Sequence, residues 1–330
     1  KLMNEVTKID GIGSSVRRSE DKKFLTGKGK YTDDINRPGQ VQAYFLRSDV
    51  AHAKIKKIDI KNAQSAPGVV GVFTGDDIAA DKVGGPICGW VVPCRDGSAT
   101  KEPPHPLLAQ GKVRFVGDAI AVVLAETAEQ AKSGAELIDV DYEELSPVVD
   151  FENAGDGAQI HDEVPNNCYF DWELGDEKAT ADALSGAKKI VKLRVRNNRL
   201  VPNAMEPRCA LAEFDNLDDS YTLHTTSQNP HLTRLVLAAF MFAIPESKLR
   251  VIAPDVGGGF GSKIYVYIEE AVCVWASKKV GRPVKWTADR TQAFLTDCHG
   301  RDHVNDVQLG LDENNKIVGL RVDTVCNLGA

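Results

Sequence analysis

Residues Pro254-Asp255-Val256-Gly257-Gly258-Gly259-Phe260-Gly261-Ser262-Lys263 place four glycines within five positions, directly after the apolar segment 249–253. Glycine tolerates positive φ and carries no Cβ, so such a run lets main-chain N–H groups approach a ligand closely. The pattern after Lys263 reads as a helix over 265–279, whose N-terminus would attract anions. The expectation is therefore a strand, a phosphate-binding loop and a helix. The common nucleotide fingerprints fail on spacing: G-x-x-x-x-G-K needs glycine at Ser262, and so does G-x-G-x-x-G counted from Gly257. An unusual phosphorylated cofactor fits better, with a plain packing turn as the alternative.

A chain of 330 residues, 42% hydrophobic, can bury a sizeable core and is long enough for about two domains. Its 40 basic residues are scattered and outnumbered by 47 acidic ones, which argues against nucleic acid or an anionic membrane as partner. No window approaches the ~20 apolar residues of a membrane span, and the segment 1–6 lacks an apolar signal core, so the expected compartment is the cytoplasm. Seven cysteines form no C-x-x-C pair and read as reduced thiols.

Strand signals at 41–47, 53–60, 69–73, 119–125 and 137–142 surround a capping-box sequence, Thr127-Ala128-Glu129-Gln130, that opens a helix to about Glu136. This gives a small α+β domain over 1–150. Within it, the stretch 84–106 is rich in glycine and proline, contains Cys88, Trp90, Cys94 and His105, and reads as a long ordered loop. A polar linker over 151–167 leads to a second domain, 168–330. There a strand at 221–226 precedes Ser227-Gln228-Asn229-Pro230, where Asn229 can cap a helix and Pro230 can occupy its first turn. The apolar positions Leu232, Leu235, Val236, Ala239 and Phe240 would lie on one face of that helix. A strand at 284–288 follows Gly281-Arg282-Pro283, and alternation about Asp312-Glu313-Asn314-Asn315 predicts a hairpin ending near Ala330. A terminus directly after a strand suggests part of something larger.

Gln228, at a strand end, could offer its carboxamide to a ligand, although a surface glutamine is the simpler reading. Met205-Glu206-Pro207-Arg208 holds a carboxylate beside a rigid proline, or else makes an ion pair at a turn. His299 and His303 stand at i, i+4, but Gly300 weakens the helix that would pair them, so zinc is disfavoured.

Together these segments resemble the N-terminal part of the molybdenum-binding large subunit of the xanthine oxidase and carbon monoxide dehydrogenase family, the molybdenum hydroxylases. Residues 16–21 and 24–34 look like the family's opening, 113–118 like a strand pair of its hammerhead domain, and Met205-Glu206-Pro207-Arg208 stands where the molybdopterin-binding domain begins. Ser227-Gln228-Asn229-Pro230-His231 and Gly257-Gly258-Gly259-Phe260-Gly261 are the most specific pair. The resemblance implies an α+β fold, a hammerhead-type domain followed by the first part of a molybdopterin-binding domain. It implies that Gln228 hydrogen-bonds an oxo ligand of molybdenum, and that Gly258, Gly259, Phe260 and Gly261 lie against the metal and its pterin, most fittingly in the cytosine dinucleotide form. It further implies hydroxylation of an N-heterocycle or aldehyde, or oxidation of carbon monoxide, with water as oxygen source. Electrons would leave to a [2Fe-2S] subunit and an FAD subunit. The base glutamate would belong to the later half of the large subunit, a further partner of this chain. Ile264 stands where purine-oxidising members carry a substrate-binding glutamate, and a buried isoleucine there would make xanthine an unlikely substrate. A non-catalytic binding or assembly subunit keeping the fold without metal is the alternative, and an unrelated phosphate binder a more distant one.

Overall fold

A computed structural model describes residues 11–89 and 91–329, so the segment 1–6 and Trp90 lie outside the described residues. The strands are β1 (Val41–Arg47), β2 (Ala53–Asp59), β3 (Val69–Thr74), β4 (Lys112–Val113), β5 (Ala119–Ala125), β6 (Asp139–Glu144), β7 (Lys189–Asn197), β8 (Cys209–Asp215), β9 (Ser220–Thr225), β10 (Leu249–Ile252), β11 (Val284–Thr287), β12 (His303–Leu311) and β13 (Ile317–Cys326). They assemble into a seven-stranded sheet of order β10-β9-β8-β11-β1-β5-β3 and two three-stranded sheets, β13-β12-β7 and β4-β2-β6.

The large sheet runs through both segments of the chain. Its seam is the parallel pairing of β1 with β11, Val41 opposite Val284. Strand β5, an unbroken apolar run, is buried along its whole length between β1 and β3, as a strand covered on both faces must be. On one face Val122 and Leu124 pack with Ala271, Val272 and Trp275 of the helix Ile268–Val280; on the other Ala121 and Val123 pack with Ala135 of the helix Ala128–Ala135. The expected capping box is present, Thr127 Oγ1 accepting from the Gln130 amide and Gln130 Oε1 from the Thr127 amide. Strand β8, which no pattern in the sequence singled out, is central to the sheet between β9 and β11.

The predicted hairpin forms as β12 and β13, turned by Asp312, whose carboxylate accepts from the Asn314 and Lys316 amides. Strand β7 adds to β12. Gly310 and Gly319 stand opposite each other and leave room for Leu184 of the helix Glu177–Ser185; a Cβ on Gly310 would lie 3.0 Å from the leucine. The other face carries Val191, Leu193 and Val195 beside Leu320 and Val322, all exposed.

The segment 151–167 folds into short turns, Phe151–Asp156 and Pro165–Asn167, and Glu152 accepts from Arg194 and Arg196 of β7. The loop 84–106 docks beside it through main-chain bonds from Arg95 to Asp171 (2.6 Å) and Lys101 to Tyr169 (2.9 Å). There the buried His161 ring meets His105 edge to face at 5.5 Å, and neither His161 nitrogen has a partner among the described residues.

Two helix expectations need correction. After Gln228 an α-helix, Pro230–Leu235, gives way to a π-helical stretch, Val236–Met241. The buried residues are Thr233, Leu237, Ala238 and Met241, whereas Leu232, Leu235 and Phe240 are exposed. The wider π turn rotates the later side chains relative to a 3.6-residue register. Asn229 holds the cap position but makes no side-chain cap; Ser227 Oγ accepts from its amide instead. The helix expected over 265–279 starts only at Ile268, after a separate turn Ser262–Ile264. Among the described residues no helix is long and apolar enough to cross a membrane.

Candidate functional site

Strands β9 and β10 run parallel, so the segments that follow them emerge at one edge of the sheet. Thr225, Thr226 and Ser227 are buried, and Gln228 is the first side chain to emerge. Its amide donates to the Lys263 carbonyl (2.8 Å), and its Oε1 accepts from the Gly261 amide (3.0 Å). Gln228 and the glycine loop, 33 positions apart in sequence, thus form one surface.

The glycines are there for room and for conformation. Gly258 and Gly261 have φ of +101° and +93°, and a Cβ on Gly259 would lie 2.4 Å from the Gln228 carboxamide. Phe260 adopts a left-handed φ of 50° with its ring largely exposed, a geometry costing ~1 kcal/mol for a residue with a Cβ. The amides of Gly258, Gly259 and Phe260 donate to no group among the described residues. The loop is therefore a cradle of three amides with no acceptor among the described residues, beside a neutral carboxamide.

The carboxylate of Glu206 lies beneath. Its Oε2 accepts from the Gly257 amide (2.7 Å) and from Lys263 Nζ (3.1 Å), and Lys263 also donates to the Glu206 carbonyl (2.8 Å). Burial lowers the Lys263 pKa, opposed by the Glu206 charge, and only 2% of this lysine is exposed. Two residues on, Arg208 turns the other way. It bonds Glu269 (2.7 Å) and Asp297 (2.6 Å), stacks 3.6 Å over the Tyr267 ring, and shares Glu269 with Arg47 of β1 (2.6 Å). Burial would raise the Glu269 pKa, but the charges of Arg208 and Arg47 win and hold it at about 2. Tyr267 ties this network to the loop, its hydroxyl donating to the Ser262 carbonyl (2.7 Å).

In the first turn of the helix that follows, Glu269 and Glu270 are 1% and 6% exposed, and Glu270 accepts from the Tyr267 amide. Two acidic side chains of the chain itself in that turn weigh against the anion-binding role expected of this helix end. Ile264 is 38% exposed beside the loop, not buried as expected, because the turn Ser262–Ile264 points Ser262 and Lys263 inward instead. His299 bonds the Phe294 carbonyl, while His303 opens β12 opposite Cys326, so the two histidines belong to different structures.

Of the sequence candidates, Gln228, Gly258, Gly259, Phe260, Gly261 and Ile264 converge at one edge. Glu206, flagged only as part of a motif, proves to be the brace of the loop. Arg47, Lys263, Glu269 and Asp297 carried no local signal as partners.

Comparison with known proteins sets these observations in a family. A model of the molybdopterin cofactor-binding domain matches residues 160–330, and one of the aldehyde oxidase and xanthine dehydrogenase a/b hammerhead domain matches 26–146. The chain is 34% identical, over 98% of its length, to the carbon monoxide dehydrogenase large chain of Hydrogenophaga pseudoflava, and 34% identical, over 97%, to the nicotine 6-hydroxylase large subunit of Paenarthrobacter nicotinovorans. It spans only 40% and 38% of those proteins. Its structure superposes on quinoline 2-oxidoreductase from Pseudomonas putida 86 with a TM-score of 0.84 at 34% identity, covering 94% of this chain and 39% of that one. The chain belongs to the molybdenum hydroxylases of the xanthine oxidase and carbon monoxide dehydrogenase family, with a hammerhead domain and a molybdopterin-binding domain of their large subunit.

Proposed function

We propose that this chain supplies one wall of a molybdenum active site. In this reading a complex with [2Fe-2S] and FAD subunits, and with the rest of the large subunit, oxidises an N-heterocycle, an aldehyde or carbon monoxide in the cytoplasm. The observation that carries the reading is the docking of the Gln228 carboxamide on the Gly261 amide beside the amides that have no acceptor among the described residues.

The residues fit a molybdenum–molybdopterin group. Such a group exposes oxo and sulfur acceptors, and the cradle offers three unspent amide donors, with open space where a Cβ on Gly261 would stand. The family's cytosine dinucleotide form is the one we propose. Gln228 and the Gly258–Gly261 segment would hold the group, which supplies two-electron oxidation of a carbon centre with water as the oxygen source. The Gln228 side chain has its Oε1 committed to Gly261, which leaves the carboxamide N–H as a donor toward an oxo ligand. Phe260, its ring exposed, offers an apolar surface beside the cradle. Because these donors are preformed and neutral, they stabilise developing negative charge without reorganisation. Ile264, partly exposed at the rim, presents an apolar contact to substrate where a purine would need a hydrogen-bonding partner, so xanthine is a poor candidate.

The decisive experiment is metal analysis of the native complex purified through this chain. About one molybdenum per copy supports the reading, and equimolar copper points to carbon monoxide. An intact complex without molybdenum overturns it. Gln228→Ala in that complex is expected to lower turnover ~100-fold or more.

A further inference from the structure

The loop's shape is held by a device that the expected site residues do not include. Glu206 Oε2 takes both the Gly257 amide and the Lys263 ammonium, and the Glu206 carbonyl takes that ammonium as well. The two ends of the segment 258–262 are thus tied to one residue 51 and 57 positions earlier in the chain. Between the ties lie three residues of positive φ, Gly258, Phe260 and Gly261, of which Phe260 carries a Cβ and is strained there unless its surroundings hold it. The tie also reaches Gln228, because the Lys263 carbonyl accepts the Gln228 amide. Packing agrees with the bonding, since a Cβ on Gly257 would lie 2.5 Å from the Glu206 Cβ.

The charges are spent internally. Lys263 is almost fully buried and directs its ammonium at Glu206, so the only lysine in the loop motif adds no free positive charge to the cradle. Glu206 Oε1 is buried and accepts from no donor among the described residues, so the carboxylate is retained at a cost in desolvation with only one oxygen in use. A group held for packing alone would be served by an uncharged side chain.

We propose that Glu206 is a positioning residue, and that with Lys263 it clamps the Gly258–Gly261 cradle and Gln228 in the geometry that receives the molybdopterin group. The inference rests on the proposed function for the identity of that group, while the clamp itself stands on this chain alone.

The test uses the assembled complex carrying Glu206→Gln, Lys263→Met or both. The double variant keeps an acceptor for the Gly257 amide and leaves neither charge buried alone, so it preserves folding if a single variant does not. Hydrogen exchange is followed at residues 257–263, with Leu249–Ile252 and Ile268–Val280 as internal references, and molybdenum per copy is measured alongside. The expected result is exchange at least ~10-fold faster at the Gly257, Gly261 and Ser262 amides, which have acceptors within this chain, with both references unchanged, and a several-fold fall in molybdenum content. Unchanged exchange in the loop overturns the clamp. Faster exchange with unchanged molybdenum overturns its role toward the group. If the unsubstituted complex itself lacks molybdenum, the functional reading fails, and the exchange measurement still decides the clamp.

Discussion

The centre of the molecule and its outlying three-stranded sheet invert the usual rule of burial. Around the loop, Arg208, Glu269 and Lys263 are 3%, 1% and 2% exposed, whereas on the open face of β7, β12 and β13 Leu193 and Leu320 are 60% and 56% exposed. Buried charges are tolerated only where each meets an opposite charge in good geometry, as the Arg47–Glu269–Arg208–Asp297 chain does. Exposed apolar side chains need no partner to persist, since leaving them in water costs nothing relative to the unfolded chain. The difference teaches where this fold is brittle: the buried network ties β1 to the helix Ile268–Val280 and to the loop, and the open face constrains nothing within the chain.

The largest effect should come from breaking the network. Arg208→Met leaves Glu269 and Asp297 short of a partner and is expected to cost ~3–5 kcal/mol in denaturant unfolding. Adding Asp297→Asn should recover part of that loss, since Glu269 keeps its pair with Arg47; an unchanged stability in the single variant would remove the contrast. Next, Gly259→Ala forces a Cβ into the Gln228 carboxamide and should cost ~1–3 kcal/mol, while displacing Gln228 from the Gly261 amide, visible as faster exchange at that amide.

A pH series sharpens the comparison in a third place, the seam between the loop 84–106 and the segment 151–171. Burial, then the charges of Arg114 and His105, push the His161 pKa down to about 4 from the ordinary 6.5. Between those values the unfolded chain binds a proton that the folded one refuses, so stability is full above about pH 6.5 and falls as pH drops toward 4. His161→Gln should flatten that slope in denaturant midpoints. The ionic network cannot supply it, because Glu269 stays charged down to about pH 2. The smallest effect is expected on the open sheet face: Leu320→Glu should change the stability of the isolated chain by no more than ~0.5 kcal/mol. A larger loss would mean that the face is already covered, and a matched measurement of molecular mass would show whether by a second copy.

Much of the candidate site was legible because its signals are local. The glycine run requires backbone freedom, Ser227-Gln228-Asn229-Pro230 reads as a strand end entering a helix, and Asp312-Glu313-Asn314-Asn315 reads as a turn. Illegible was anything set by partners far away in sequence. Arg47 and Glu269 meet across 222 positions, and neither carries a pattern that announces the other. The helix after Gln228 offers more than one apolar stripe, and the choice of Leu237, Ala238 and Met241 follows from a π turn that periodicity does not encode.

By itself the sequence determined most of the strands, β7 and β8 excepted, where the chain must turn and which loop can approach a ligand, since these follow from side-chain shape and backbone preference over a few residues. Only the tertiary structure decided that Glu269 at the helix start meets Arg208 and Arg47, that Lys263 faces inward to Glu206, and that strands from both segments join in one sheet. Those outcomes depend on which charges and which faces meet after long-range packing, and that is a property of the assembled core.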